Sequence, residues 1–219
     1  EFCANNGKAP EELTDDDKAE IERLSSEEFF TEEDKIITAL FEEGLDVLHV
    51  HKKQAQPILY ERLLSLIPEQ YHQQIVMQEH FYLAEEYNLQ GIHLTRRNPN
   101  PPENYSGRLS HCAYSLEDLQ KKKNKDLQYI SLKYVFDSIS GLESSHYSIQ
   151  DLQDAARKGI VDRKTIAQTG INKDNISIVK DLGFGGILLC GDIWQRFNPH
   201  SGQDFRDLIG EFRKIKKQQ

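Results

Sequence analysis

Short apolar runs alternate with longer amphipathic stretches from about residue 21 to the end of the chain. The apolar runs predict eight strands, at residues 21–25, 46–51, 74–78, 91–94, 109–113, 128–134, 164–169 and 186–190. The stretches between them predict helices at residues 32–43, 57–66, 81–88, 115–121, 149–157, 174–182 and 203–216. This alternation is typical of a parallel sheet with helical crossovers, and eight repeats within 219 residues predict a single closed (β/α)8 TIM barrel over residues 21–219.

The amino-terminal part of the chain is the least typical of such a barrel. Residues 1–20 have no apolar periodicity and are rich in Asp and Glu, so we interpret them as an acidic arm or a cloning remnant. The predicted strand at 21–25 contains Glu22 and Arg23, whereas the strands of a parallel barrel are buried on both faces. The barrel prediction therefore depends most on the other seven strands.

The overall composition limits the kinds of molecule that the protein is expected to bind. The net charge of −9 and a pI of about 5.4 argue against a nucleic acid as the main partner, but they allow a local basic pocket for a phosphorylated small molecule. No apolar run approaches the roughly 18 residues that span a bilayer, so we expect no membrane partner. Cys3, Cys112 and Cys190 are far apart in the sequence, which favours reduced thiols and a cytoplasmic protein.

Polar side chains recur at the carboxyl ends of the predicted strands. They are His49, His51, Gln78, His80, His93, Lys133 and Gln168. In a closed barrel these ends meet at one mouth, where the active sites of this architecture lie. The alternation of a strand also puts His49 and His51 on one face, a spacing that suits either hydrogen-bonded barrel histidines or metal ligands.

Lys133 lies in an otherwise apolar segment, beside Leu132 and close to Val135. A buried ammonium group must find an anion, reach solvent or lose its proton. Lys133 could therefore hold a substrate phosphate, act as an amine nucleophile, or point outward between helices. The sequence leaves these three interpretations open.

Glycines cluster after the last two predicted strands. The segment TGIN at 169–172 follows one strand, and GFGGILLCGDIW at 183–194 encloses the other. Glycine lets backbone N–H groups approach an anion closely, and barrels of this kind often bind phosphate after their seventh and eighth strands. Tight turns and helix ends are the alternative explanation of the same glycines.

Six motifs occur in the order found in one enzyme superfamily. They are GLDVLHVHKK, IVMQEHFYLAEEYNLQGIHL, CAYSLEDL, YVFDSIS, TGINKDNI and GFGGILLCGDIW, between about residues 25 and 197. In this order the chain resembles the thiamine phosphate synthases and thiazole tautomerases, above all their Bacteroides-like branch. The resemblance implies a small (β/α)8 barrel that joins a hydroxymethylpyrimidine diphosphate to a thiazole phosphate. Such enzymes release pyrophosphate and use Mg²⁺.

Two of the family motifs near the mouth are altered in this chain. The family pattern Gln-x-Arg-x-Lys falls on His49, His51 and Lys53. The family pattern Asn-Asp-Arg falls on Gln78, Glu79 and His80. The resemblance therefore implies that Lys53 holds diphosphate and that Glu79 replaces a metal-binding aspartate.

The later motifs also match in part. The second expected metal aspartate falls within Arg96, Arg97 and Asn98, so Glu79 is the remaining Mg²⁺ candidate. The resemblance implies that Arg96 holds diphosphate, and the histidine of the tautomerases falls on Tyr134. The thiazole phosphate is implied to bind the backbone N–H groups of Gly170, Cys190 and Gly191.

The leading prediction is a thiamine phosphate synthase-like barrel with an altered mouth. The candidate catalytic residues are Lys133, His49, His51 and Lys53, and the candidate metal ligand is Glu79. The candidate substrate-binding residues are Gln78, His80, His93, Arg96, Tyr134, Gln168, Gly170, Cys190 and Gly191. One alternative is a repurposed or engineered barrel with a new pocket around the lysine. Another is a protein that binds a phosphorylated ligand, either without catalysis or as a tautomerase-like enzyme. The sequence leaves open whether the protein is a homodimer.

Overall fold

Seven parallel strands form one sheet in the part of the chain that the structure describes. The computed structural model describes residues 29–30, 32–52, 55–138, 143–194 and 205–217. The strands are β1 (Leu48–Val50), β2 (Ile75–Met77), β3 (Gly91–Leu94), β4 (Arg108–Ala113), β5 (Ile130–Leu132), β6 (Thr165–Gln168) and β7 (Gly186–Leu188). Each strand pairs with the next one in the sequence, and every pairing is parallel.

Helices connect most of the strands and cover the outer face of the sheet. They are α1 (Glu33–Glu42), α2 (Pro57–Leu66), α3 (Tyr82–Glu86), α4 (Leu116–Lys122), α5 (Ile149–Arg157), α6 (Ile176–Asp181), α7 (Gly191–Trp194) and α8 (Arg206–Lys216), with a 3-10 helix at Glu69–Gln74. Local signals explain where some begin, since Pro57 opens α2 and the side chains of Ser148 and Asp151 cap α5 reciprocally. Among these described helices, none is long and apolar enough to cross a membrane.

The predicted strands and helices that fall on described residues are confirmed to within a few residues. The 3-10 helix and α7 have no counterpart among the predictions. The predicted strand at 21–25 and the acidic segment 1–20 lie outside the described residues. The sheet curls as a half-barrel, and no described strand pairs with the outer edge of β1 or β7. The closed eight-stranded barrel therefore stays a prediction.

The two faces of the curled sheet differ in polarity. Outward-facing strand residues such as Met77, Ile92 and Leu132 are buried in apolar clusters with the helices. Inward-facing residues of the same strands include His93 on β3 and Ser131 on β5, whose side chains meet at 3.3 Å. Because successive strand residues point to opposite faces, one alternating sequence produces both an apolar outer face and a polar inner face. The polar inner face is where a binding site can form.

The turn after β6 brings two backbone segments unusually close together. Thr169 and Gly170 both have positive φ angles, of 75° and 69°. The N–H of Phe136 donates to the carbonyl of Thr169 over 3.2 Å, which ties the segment after β5 to this turn. A Cβ atom added at Gly170 would lie 2.3 Å from the carbonyl oxygen of Asp137, so no other residue fits here without a shift of the backbone.

Substitution of Gly170 is expected to cost more stability than substitution of a glycine with a similar φ angle in open space. Gly183 has a φ of 81°, and a Cβ there would meet nothing within 4 Å. We expect Gly183→Ala to lower the free energy of unfolding by about 1 kcal/mol, the cost of a left-handed backbone. Gly170→Ala should lower it by about 2 to 4 kcal/mol, because the backbone clash adds to that cost. Urea denaturation measures both, and equal losses would contradict the close approach.

Candidate functional site

A cavity of about 1030 Å³ lies inside the curl of the sheet, and its lining extends from the amino ends to the carboxyl ends of the strands. Its lining includes predicted site residues from almost every strand. The imidazole and amide groups among them are His49, His51, Gln78, His93 and Gln168. The other predicted residues in the lining are Arg96, Lys133, Tyr134 and Cys190. The structure therefore brings most of the predicted site residues together.

Other predicted site residues lie elsewhere. His80 has a positive φ of 48°, and its Nε2 lies 3.1 Å from the carbonyl oxygen of Ala55, so its ring turns away from the cavity. Gly170 and Glu79 are also absent from the cavity lining among the described residues. Gly191 begins α7, and Lys53 lies outside the described residues. The close backbone contact of Gly170 accounts for that glycine without a ligand.

His49 lies at the centre of a hydrogen-bonded network inside the curl. Its Nδ1 is 3.2 Å from Nε2 of Gln78, and its Nε2 is 2.6 Å from the hydroxyl of Tyr129. An amide nitrogen only donates, so Nδ1 of His49 accepts and its Nε2–H donates to Tyr129. This arrangement fixes one neutral tautomer of the ring. Tyr129 belongs to the site although the sequence analysis did not single it out, because it precedes its strand rather than following it.

His93 is held in the opposite tautomer by two serines. The hydroxyl of Ser110 donates to the carbonyl of Ile92 over 3.3 Å, so it accepts from Nδ1 of His93 at 2.8 Å. Nε2 of His93 then accepts from the hydroxyl of Ser131 at 3.3 Å. The ring of His93 also packs edge-on against that of His49, with centroids 4.8 Å apart. The interpretation as a hydrogen-bonded barrel histidine therefore fits His49, and His93, for which it was not made, is held in the same way.

Burial keeps these groups uncharged at neutral pH. Desolvation, followed by the nearby charge of His51, lowers the pKa of His49 to about 4. Burial also lowers the pKa of His93 well below its ordinary value, and it raises the pKa of Tyr129 to about 12. The floor of the cavity is thus neutral but rich in hydrogen-bonding groups. Such a floor suits a polar, uncharged heteroaromatic ring.

The ammonium of Lys133 is paired with a carboxylate of the same chain, Glu143. The lysine is 4 % exposed, its Nζ lies 2.8 Å from Oε1 of Glu143, and the ring of Tyr134 lies 4.9 Å from the same Nζ. Oε2 of Glu143 accepts from the hydroxyl of Thr169 at 3.4 Å, which links the lysine to the turn after β6. An ammonium paired with a carboxylate is stabilised in its charged form, which opposes a role as an amine nucleophile. Holding an anion is the role that this geometry favours.

Glu79 is engaged by neighbouring side chains rather than by a second carboxylate. Its Oε2 lies 3.0 Å from the hydroxyl of Tyr60, and its Oε1 lies 3.7 Å from Nδ1 of His51. At the position of the second expected aspartate, the amide of Asn98 donates to the carbonyl of Gln78 over 3.0 Å. No group of three or more His, Cys, Asp or Glu within the described ranges could hold a metal ion. These donors do not fit the oxygen-rich, octahedral Mg²⁺ site that the resemblance implies.

The sequence analysis missed a buried ion pair at the edge of the cavity. Lys52 pairs with Glu33, the first residue of α1, and both line the cavity. The Lys52 ammonium also lies 4.9 Å from the ring centroid of Phe29. Burial raises the pKa of Glu33, against the opposing effect of Lys52. Lys52 and Lys53 both follow β1 in the sequence HKK at 51–53, but the family pattern assigns a role only to Lys53, so the sequence analysis did not single out Lys52.

A tyrosine from α2 fixes the backbone of the segment after β1. Tyr60 is fully buried, and its hydroxyl accepts from the N–H of Lys52 at 2.8 Å. The same hydroxyl lies 2.6 Å from the carbonyl oxygen of Lys52. Both contacts are made to main-chain atoms. The path of the segment that carries His51 and Lys52 is therefore set by a residue of the helical layer.

Comparison with models of known protein families and with curated proteins finds no match, but solved structures do match. Thiamine phosphate pyrophosphorylase from Bacteroides thetaiotaomicron is 44% identical, with a TM-score of 0.80, and the match covers 87% of this chain and 92% of that one. A thiamine phosphate pyrophosphorylase from Pyrococcus furiosus is 20% identical, with a TM-score of 0.64 and coverage of 85% and 90%. A native KDPGal structure is 14% identical, with a TM-score of 0.60 and coverage of 87% and 89%. The last two similarities concern the fold alone.

The half-buried imidazole of His49 is expected to make the folded state less stable as the pH falls. Its pKa is about 4 in the folded chain and about 6.5 in the unfolded chain, so only the unfolded chain gains a proton between these values. The stability of the folded state is thus highest above pH 6.5, and His49 should remove about 2 kcal/mol of it between pH 7 and pH 4.5. Urea denaturation at the two pH values measures this loss.

The matched variants are His49→Gln and His146→Gln. His146 is exposed, so its replacement should leave the pH dependence of the parent protein unchanged. His49→Gln should lose about 2 kcal/mol less than the parent protein over the same range. An unchanged pH dependence in His49→Gln would show that His49 is not the neutral group described above.

Proposed function

This chain belongs to the thiamine phosphate pyrophosphorylase family, and we propose that it joins a hydroxymethylpyrimidine diphosphate to a thiazole phosphate with release of pyrophosphate. The observation that carries the proposal is a cavity with a neutral, hydrogen-bonding floor and cationic groups in its lining. The floor suits the pyrimidine ring, and the cations suit the diphosphate. Both features are expected at a site that holds this substrate.

Release of pyrophosphate is the step that the cationic groups would assist. The bond between the pyrimidine methylene carbon and the diphosphate oxygen breaks, and its electron pair leaves with pyrophosphate. The lone pair of the thiazole nitrogen then forms the new carbon–nitrogen bond. Arg96, Arg97 and Lys133 line the cavity, so they are the groups that would stabilise the negative charge of the leaving group. The Glu143 partner of Lys133 would keep that ammonium in place.

The floor residues would position the pyrimidine rather than exchange protons with it. His49 and His93 are neutral and each has a fixed tautomer, so their rings and the amide of Gln78 offer defined donors and acceptors. Such fixed groups can hold a ring in one orientation for attack by a second substrate. We assign no step to Mg²⁺, because the side chains around Glu79 do not fit it.

The eighth strand is part of the proposal. The free edges of β1 and β7 both border the cavity, since His49 and Leu188 are in its lining. We propose that residues 21–25 pair between these edges and close the barrel, as the sequence pattern predicts. We also propose that the reaction takes place in the cytoplasm, where the scattered cysteines would stay reduced.

A protein that binds the phosphorylated ligand without turnover is the second candidate function. The observation in its favour is the replacement of the second expected metal aspartate, at a position now occupied by Arg96, Arg97 and Asn98. A tautomerase-like activity has less support, because Tyr134 stands where the family has its histidine. A nucleophilic lysine also has less support, because Lys133 is paired with Glu143.

Loss of the buried ion pair is expected to abolish the proposed reaction without unfolding the protein. The double variant Lys133→Gln/Glu143→Gln leaves no buried charge unpaired, so circular dichroism should stay unchanged. We expect its kcat/KM for thiamine phosphate formation from both precursors to fall by about 100-fold or more, because the ammonium that would donate to the leaving group is lost although the net charge of the pair is unchanged. Product formation and pyrophosphate release, both followed by chromatography, measure the effect.

The matched control is Lys164→Gln, which removes an exposed lysine just before β6, at the opposite end of the sheet. Its activity should equal that of the parent protein. Equal activity of the double variant would rule out the cationic role of Lys133. If the parent protein binds both precursors and forms no product, the synthase proposal fails and the binding-protein proposal takes its place.

A further inference from the structure

A second groove, of about 550 Å³, lies beside the mouth on the outer side of β4. The residues of its lining that matter here are Arg96, His111, Tyr114, Asp118, Lys122 and Lys125. The chain passes from β3 to β4 through residues 95–107, which are all described and contain no helix. The other crossovers between consecutive strands each contain a helix. The groove is therefore the gap that the missing helix leaves on the outer face of the sheet.

The groove is positively charged although the chain as a whole is acidic. Arg96, Lys122 and Lys125 contribute three positive charges, and Asp118 contributes one negative charge. Oδ2 of Asp118 lies 2.6 Å from Nζ of Lys122, so these two charges balance. Throughout the described ranges, no carboxylate pairs with the guanidinium of Arg96 or the ammonium of Lys125. Two unbalanced positive charges in a chain of net charge −9 favour an anionic occupant.

Tyr114 holds Arg96 in a fixed orientation. The guanidinium carbon of Arg96 lies 3.9 Å from the centroid of the Tyr114 ring, and the backbone N–H of Arg96 donates to the Tyr114 hydroxyl over 3.2 Å. The N–H of Tyr114 in turn donates to Asp118 over 3.0 Å. A guanidinium with a fixed plane presents its N–H donors in a defined direction, which suits the oxygens of a phosphate group.

Lys122 forms part of the inner wall of the groove, where its ammonium is held by two fixed partners. Its Nζ donates to the carbonyl of Cys112 over 3.0 Å as well as to Asp118, and the side chain is 12% exposed. His111 is buried beside it, and burial together with the charge of Lys122 lowers the pKa of this histidine. The fixed groups on this wall and the two unpaired cations at the rim together form a concave, preorganised surface.

We propose that this groove is a second anion site that adjoins the mouth, and that it binds phosphate-type anions through Arg96 and Lys125. The site goes beyond the proposed function, in which every phosphate lies at the mouth, and it requires no turnover. Arg96 also lines the mouth cavity, so the two sites share one guanidinium. An anion in the groove therefore competes with the mouth for Arg96.

Titration of the full chain with inorganic pyrophosphate at low ionic strength tests the site. Lys125→Gln removes an exposed lysine of the groove, and Lys121→Gln removes an exposed lysine nearby that is paired with Glu117 and is not in the groove lining. Calorimetry should show affinity for the groove about 3- to 10-fold weaker in Lys125→Gln and within about 2-fold of the parent protein in Lys121→Gln. Lys133→Gln/Glu143→Gln, which alters only the mouth, should retain the groove site.

Amide chemical shifts identify which site is occupied. Pyrophosphate should shift the resonances of His111 and Lys122, which line the groove and not the mouth cavity, and these changes should weaken in Lys125→Gln but persist in the mouth double variant. Changes confined to Gln78 and Gln168 of the mouth, or equal losses in the two lysine variants, would overturn the proposal, as would the absence of any binding. Failure of the synthase reaction leaves this outcome unaffected, because the test measures binding of pyrophosphate alone.

Discussion

The imidazoles of His49 and His93 on the inner face of this curled sheet need hydrogen-bond partners, because both are largely removed from water. The chain meets this requirement by pairing groups from different strands: His49 with Gln78 and Tyr129, and His93 with Ser110 and Ser131. These pairs fix the tautomer of each imidazole, while burial lowers the pKa of both and keeps them neutral. The suitability of the floor for a polar ring depends on both the cross-strand network and this burial.

Charge is arranged around that neutral floor. Lys133 and Lys52 are buried, and each is paired with a carboxylate from a neighbouring segment of the chain, Glu143 and Glu33 respectively. A buried ion pair stabilises the fold little, but removing one partner leaves an unpaired charge. The paired cations are therefore held in place, while Arg96 at the rim is free of any carboxylate in the described residues and stacks on a ring. Fixed inner cations and an available outer one together suit a diphosphate.

Sequence periodicity was sufficient to predict the seven described strands and the polar residues at their ends, because alternation and strand ends are local features. His49, Gln78 and Lys133 were found in this way. The partner of Lys133 was not, because Glu143 lies in an irregular segment whose position depends on tertiary contacts that no local pattern encodes. Gly170 was interpreted as a phosphate-binding glycine, yet a close backbone contact already explains it. Motif resemblance predicted the family correctly but drew attention away from Lys52.

The role of Tyr60 has a consequence for how this scaffold can change over evolution. Its hydroxyl is hydrogen-bonded to the backbone N–H and carbonyl oxygen of Lys52, so these contacts do not involve the side chain at that position. Mutations of the neighbouring His51 are therefore expected to leave the backbone at Lys52 in place, whereas the Lys52 side chain itself is required by its charge pair with Glu33. A residue of the helical layer thus sets the path of the main chain independently of the imidazole that faces the cavity.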